Sequence, residues 1–168
     1  KVFNHCDYIA VNISSPNTPQ LRDLHSDDNI RELLDAIENE SQKLGTFKPI
    51  FLKISPDESN ETIENISNLI ELSSLSGLIV SNTTLDKSSL NKSKKNFEGG
   101  LSGAPLMKKS TEMIKKISTK HPSMPIIGVG GVLKKDDFLK KIEFGASLVQ
   151  IYSGFIIKGP KIVNEILQ

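Results

Sequence analysis

The stretch Tyr8-Ile9-Ala10-Val11-Asn12-Ile13-Ser14-Ser15-Pro16-Asn17-Thr18 runs from an apolar segment straight into a polar turn. Its first half reads as a buried strand. Its second half sets Asn, Ser, Ser, Pro and Asn, all hydrogen-bonding or turn-forming residues, at one strand end. Buried amides and hydroxyls are costly unless partnered, so such a cluster faces a ligand or other polar groups. Pro16 removes a backbone donor and pushes Ser15 towards an extended conformation, which favours a fixed, outward-projecting loop. Taken alone, the segment also fits an ordinary strand-to-helix turn in an Asn- and Ser-rich chain. The rest of the sequence decides, because it repeats the arrangement four more times.

Five short apolar runs, at 8–13, 50–54, 78–80, 126–129 and 148–151, are each followed by a polar or Gly-rich turn. Amphipathic stretches between them predict helices at roughly 29–44, 62–72, 106–120 and 136–144, with a last one near 162–167. The first carries Ile30, Leu33, Leu34 and Ile37 at helical spacing behind the cap candidates Ser26 to Asp28. Near-continuous apolar strands alternating with helices indicate a parallel sheet covered on its outer side.

Barrel and open sheet differ in where chemistry gathers. In a closed (β/α)₈ barrel it gathers at the C-terminal ends of all the strands, with phosphate at the last two loops. In an open doubly wound sheet only the strands beside the switch point carry a site. Here the strand ends are Asn12 and Ser15, Lys53-Ile54-Ser55-Pro56-Asp57, Ser81-Asn82-Thr83-Thr84, Gly128-Val129-Gly130-Gly131 and Tyr152-Ser153-Gly154. Every one is decorated. The expected fold is therefore α/β, a (β/α)₈ TIM barrel present as a fragment with about the last five strand–helix units, in a single domain over 1–168. Eight units at this spacing need about 250 residues, so the first three strands are expected to be missing. A start at Lys1 rather than Met, and a last helix that stops without a cap, likewise predict a piece of a longer protein.

A net charge of +1 and a pI near 8.0 argue against a nucleic-acid footprint, and 5% aromatic residues without Trp argue against a base-stacking platform. The lysines of 92–95, Lys134-Lys135 and Lys140-Lys141 are expected on solvated faces. Cys6 is the one cysteine, which excludes a disulfide framework and a Cys-based metal site. A reducing compartment follows, with Cys6 expected as a small buried hydrophobe. His5, His25 and His121 have no partners at metal spacing, so no metal is assigned. No apolar run approaches the length of about 20 residues needed to span a bilayer, and no signal peptide is legible.

Lys53 lies inside the apolar strand Ile50-Phe51-Leu52-Lys53-Ile54 and shares a face with Phe51 and Ser55 by alternation. A lysine pointing into a barrel needs a counter-charge or an electron-rich ligand, because an unpaired buried ammonium is too costly. A structural acid is as good a partner as a ligand at this point. Ser81-Asn82-Thr83-Thr84 offers side chains of opposite pointing, one for a cofactor and another for a substrate. The glycines of Glu98-Gly99-Gly100-Leu101-Ser102-Gly103-Ala104-Pro105, directly before a helix, would let backbone N–H groups approach an anion. Gly128-Val129-Gly130-Gly131 lacks the third glycine of a dinucleotide fingerprint and the acid of a following strand, and it fits the barrel phosphate site better.

Taken together, these residues resemble the dihydroorotate dehydrogenases of class 2, which depend on FMN and quinone and serve pyrimidine (UMP) biosynthesis. The likeness covers nearly the whole chain, through 11–18 with Leu21-Arg22, 52–57, 77–84, 99–106, 125–132 and 145–153 in order. The resemblance implies oxidation of (S)-dihydroorotate to orotate with quinone as acceptor. It implies Ser15 as catalytic base, where class 1 relatives use Cys, and Thr18 as a candidate for ordering water in its proton relay. Asn12, Asn17, Asn82 and Thr83 match substrate contacts, and Asn12 also matches a flavin contact. Lys53 matches the lysine beside the pyrimidine end of the flavin. Ser81 stands where the family commonly has Thr, a departure that keeps the hydroxyl. Gly103, Gly131, Tyr152 and Ser153 match the groups that cradle the FMN phosphate and ribityl chain. Peripheral membrane association is implied through a region upstream of Lys1, at the cytoplasmic side of a bacterial cell membrane or the inner mitochondrial membrane of a eukaryote. The stretch alone is expected to be inactive.

Two other readings compete. One is a related FMN barrel, of the class 1 or dihydropyrimidine dehydrogenase type, that reduces pyrimidines or uses fumarate or NAD as partner. The other is a non-catalytic, phosphate-binding half-barrel, in which Ser15, Asn17 and Lys53 would not converge.

Overall fold

The computed structural model describes residues 3–15, 27–45, 48–90, 96 and 98–168. Five parallel strands, β1 (Ile9–Asn12), β2 (Ile50–Ile54), β3 (Gly77–Val80), β4 (Ile126–Val129) and β5 (Leu148–Gln150), pair in sequence order. Helices α1 (Asp27–Leu44), α2 (Asn60–Glu71), α3 (Met107–Lys120) and α4 (Lys135–Glu143) connect them, and α5 (Ser153–Lys158) and α6 (Lys161–Leu167) follow the last strand. The helix α5 was not expected from the sequence: its six residues are too few to show a period.

The register places Asn12 beside Lys53, Lys53 beside Ile79, Ile79 beside Ile127, and Val129 beside Gln150. Alternation then sorts the side chains. Leu52, Ile54, Leu78, Val80 and Ile126 pack outward with Ile30, Ile66, Ile70 and Ile114 of the helices in the main core. Phe51, Ile79, Ile127 and Val129 form a second, inner cluster on the opposite face. Lys53 belongs to that inner face, where alternation put it.

The sheet is strongly curved. Neighbouring strands lie about 4.8 Å apart, so the edges of a flat five-stranded sheet would stand roughly 19 Å from each other. Yet Tyr8, just before β1, accepts a hydrogen bond at its hydroxyl from Gln150 of β5 at 2.9 Å. Tyr8 also meets the ring of Phe51 edge-on, with centroids 5.9 Å apart. A tyrosine and a glutamine cannot reach across 19 Å, so the inner face is the concave side of an arc. This is barrel curvature.

Two local expectations are corrected. Cys6 is half-buried, not buried, and its thiol faces the Phe3 carbonyl at 3.7 Å. Lys141, expected on a solvated face, is 0% exposed. It enters the space between α3 and α4 because Gly128 presents no side chain there: a Cβ on Gly128 would stand 3.2 Å from the Lys141 Cδ. The lysines of 92–95 lie outside the described residues.

Candidate active site

All five strands point their C-terminal ends to the same side, and a cavity of about 250 Å³ opens there. Its wall includes Lys53, Ser81, Asn82, Thr83, Gly103, Gly131, Tyr152 and Ser153. The strand-end turns of β2 to β5 thus converge on one volume. Asn12 and Ser15 do not line it, and Asn17 and Thr18 lie outside the described residues.

Asn12 is nonetheless tied to the cavity wall. Asn82 commits its Nδ2 protons to Asn12 Oδ1 at 3.2 Å and Ser14 Oγ at 3.1 Å, and its Oδ1 accepts from the Thr83 N–H at 2.8 Å. Ser14 is fully buried, with its hydroxyl 3.1 Å from Asn12 Oδ1 and 3.0 Å from the Lys53 carbonyl. One hydroxyl therefore joins the ends of β1, β2 and β3. Sequence reading singled out Asn12 and Ser15 and passed over Ser14. Its neighbour Ser15 is half-buried, after the buried pair Ile13 and Ser14.

The Lys53 ammonium pairs with no carboxylate among the described residues, and burial lowers its pKa from the ordinary lysine value. Of the two partners left open by the sequence, an acid is not found among the described residues. An electron-rich or anionic ligand fits the vacancy of charge. The Ser81 hydroxyl donates to the Asn82 carbonyl at 3.0 Å, which leaves its oxygen as an acceptor.

The opposite end of the cavity is built from small residues and hydroxyls. Ser153 Oγ and Ser102 Oγ lie 2.9 Å apart. Gly103 packs beside them, since a Cβ there would stand 3.8 Å from the Ser153 Cβ, an ordinary van der Waals contact. Gly130 and Gly131 complete the wall beside Leu106. Backbone N–H groups at glycine turns, flanked by hydroxyls, make a donor set suited to a phosphate. Ser102 and Gln150 also line the cavity and were not anticipated. Gln150 gave a signal of the same kind as Lys53, a polar residue at an inward position of an apolar strand.

A loop tie holds this rim in place. Asp57, after β2, accepts from the Leu85 N–H at 2.7 Å, from the Thr84 hydroxyl and from Lys109 Nζ at 2.6 Å. Burial alone would raise its pKa. The hydrogen bonds from Leu85, Lys109 and Thr84, with the charge of Lys109, outweigh it and hold the carboxyl below its usual value. Among the described residues no group of three or more His, Cys, Asp or Glu could hold a metal ion. No helix among them is long and apolar enough to cross a membrane.

Fold and cavity define an α/β-barrel architecture with its site at the C-terminal ends of parallel strands. The chain belongs to the dihydroorotate dehydrogenase family, whose profile matches residues 1–168. That family is flavin-dependent. The dihydroorotate dehydrogenase (quinone) of Christiangramia forsetii is 42% identical over 168 residues, covering 99% of this chain and 49% of that protein. The protein of the same name from Shewanella oneidensis is 47% identical over 174 residues, covering 100% of this chain and 51% of its own. Among solved structures, the ligand-free DHODH of Eimeria tenella matches with a TM-score of 0.93 at 34% identity, over 99% of this chain and 51% of that one. The chain thus spans about half the length of the curated relatives it matches.

Proposed function

We propose that this chain is the later part of an eight-unit FMN barrel that oxidises dihydroorotate to orotate and passes the electrons to a quinone. The observation that carries the reading is the convergence of Lys53, Ser81, Asn82, Thr83, Gly103, Gly131, Tyr152 and Ser153 on one cavity. Its two ends suit the two ends of FMN. The uncompensated Lys53 cation fits the electron-accepting ring, and the Gly103, Gly131 and Ser153 rim fits the phosphate. Family and quinone-type relatives support the same assignment.

The reaction removes a proton from C5 and a hydride from C6 of dihydroorotate, leaving the C5=C6 double bond of orotate. When bound, FMN supplies the two-electron acceptor for that hydride and yields the electrons to the quinone. Ser15 takes the C5 proton at its Oγ. A serine is a weak base at its free pKa, so the proton must pass onward as the substrate arrives, and Thr18 is placed by sequence to order the water that receives it. Asn12, Asn82 and Thr83, joined in one hydrogen-bond chain, orient the substrate ring, and Asn17 is the fourth member of that set. Lys53 holds positive charge beside the ring that gains electrons, an electrostatic role best served where water is scarce. Quinone use implies peripheral attachment to a membrane through a region outside this chain.

The test is Ser15→Ala in the full-length protein, followed by stopped-flow absorbance of each half-reaction. Flavin and orotate binding should stay near parental values. Flavin bleaching by dihydroorotate should slow by roughly 10²–10⁴-fold, the usual span for losing a general base. Reoxidation by a quinone should be unchanged. Bleaching at the parental rate refutes the role of Ser15, and reoxidation by fumarate or NAD in place of quinone refutes the acceptor.

A further inference from the structure

Lys141 is the largest of the fully buried side chains, and the chemistry above does not use it. Its Nζ donates to Ser110 Oγ at 2.7 Å and to Thr111 Oγ1 at 3.2 Å, both on α3. No carboxylate pairs with it among the described residues. Asp137, one turn earlier on α4, is the charged group that acts on it, and that carboxylate is engaged by the Leu133 and Lys134 N–H groups. The other acids on neighbouring elements are occupied: Glu112 of α3 with Lys108, and Glu165 of α6 with Lys158 and Lys161. Strands β4 and β5 carry no titratable residue. A buried ammonium held by hydroxyls alone is poor value for stability, since an apolar side chain of the same length would pack there without desolvating a charge.

What the ammonium touches gives it a purpose. Ser110 Oγ lies 3.2 Å from the Gly130 carbonyl and 3.3 Å from the Met107 carbonyl, the two acceptors of its one proton, and a Cβ on Gly130 would stand 3.1 Å from the Ser110 Oγ. In a trans peptide the C=O of one residue and the N–H of the next point to opposite sides. A Gly130 carbonyl drawn down onto Ser110 therefore turns the Gly131 N–H away from α3. Gly130 and Gly131 line the cavity, whereas Ser110 and Lys141 lie behind its wall.

We propose that Lys141 is a positioning residue for the phosphate end of the cavity, fixing the Gly130–Gly131 peptide through Ser110 and setting a positive charge behind it. This rests on the proposed binding of a phosphate-bearing flavin. Burial lowers the Lys141 pKa to about 8, so its charge is lost across mildly alkaline pH. A phosphate monoester is fully ionised above its second pKa of about 6, so between pH 7 and 9 the lysine titrates and the phosphate does not. Affinity for the phosphate should fall as pH rises through that window, because the neutral amine no longer offsets the dianion.

The experiment measures fluorescence quenching of FMN and of riboflavin by the apo form of the full-length protein, as parent and as Lys141→Met. The two ligands share the flavin ring, so their affinity ratio cancels Lys53 and reports the phosphate alone. In the parent the FMN preference should decline roughly threefold to tenfold from pH 7 to 9, the scale of one unit charge acting through a partly screened protein wall. In Lys141→Met the preference should be lower by a similar factor at pH 7 and flat with pH, with riboflavin affinity unchanged. If the variant does not fold, the parent's own profile decides. A parent that prefers FMN with a flat profile overturns the role of Lys141 and leaves the proposed function standing. A parent that binds FMN no better than riboflavin overturns both.

Discussion

Gly131→Ala tests the packing behind the glycine turn that, on the proposed function, holds the FMN phosphate. Gly131 has φ +81, and a Cβ there would lie 2.4 Å from the Met107 Cβ, 2.5 Å from its Cα and 2.6 Å from its backbone nitrogen. The positive φ costs an L-residue about 1–2 kcal/mol. The contact adds about 1–3 kcal/mol of overpacking, since the first turn of α3 is fixed backbone and cannot swing aside as a side-chain tip would. The expected loss is roughly 2–5 kcal/mol. Gly45 supplies the control, with φ +64 and nothing within 4 Å of a built Cβ. Gly45→Ala should lose only the conformational share, about 1–2 kcal/mol. Urea unfolding of the full-length protein measures both, provided the slopes agree. Relief of the Gly131 clash requires the β4 turn to move off α3, so FMN affinity should fall in Gly131→Ala and hold in Gly45→Ala. Equal losses in stability, or intact FMN affinity in Gly131→Ala, would show that the turn adapts at little cost and that its close approach to α3 is incidental.

Lys53→Ala should weaken flavin retention and slow bleaching by dihydroorotate, because the ring loses the cation beside it; retained flavin at an unchanged bleaching rate, read by absorbance, would remove Lys53 from the site. Asp57→Asn should destabilise the full-length protein by roughly 1.5–3 kcal/mol at neutral pH, the range for hydrogen bonds to a charged group. The Asp57 pKa is held below its unfolded value, so this stabilisation is present above about pH 4 and is lost as pH falls through the lower folded value. Parent and variant midpoints in urea should therefore converge on acidification, and a gap constant from pH 7 to 3 would show that the carboxylate's charge plays no part.

The strands and the barrel curvature were legible because each strand is a short apolar run closed by turn chemistry. β2 and β4 fall where the apolar runs end, at 50–54 and 126–129. Lys53 and the Gly130–Gly131 turn were legible for a related reason: a polar side chain inside an apolar strand, or two glycines at its end, breaks a pattern, although Gln150 broke it too and was not picked out. What broke no pattern was missed. Ser14 looks like any serine in an Asn- and Ser-rich turn, and only the register shows it bridging to the Lys53 carbonyl. Lys141 sits in the doublet Lys140-Lys141 on an amphipathic helix, where charge predicts solvent. Its burial depends on the absent side chain of Gly128, more than ten residues away in sequence and adjacent only once β4 and α4 have packed.

On the proposed function, holding the ligand and changing it fall to different parts of the site. The end of the cavity proposed for the phosphate is built from the loops after β3, β4 and β5, with α3 and Lys141 behind them. Ser15, proposed to take the substrate proton, follows β1, an edge of the described sheet, and the adjacent Ser14 is bonded to Asn12 and to Asn82 of the cavity wall. On the proposed reading, changes at Gly131 or Lys141 act mainly on FMN affinity, and changes at Ser15 mainly on the rate of bleaching once FMN is bound. Ser14 and Asn82 are the hinge between the two. Their hydrogen bonds tie the β1 turn to the cavity wall, so disturbing them, like removing Lys53, should alter binding and rate together.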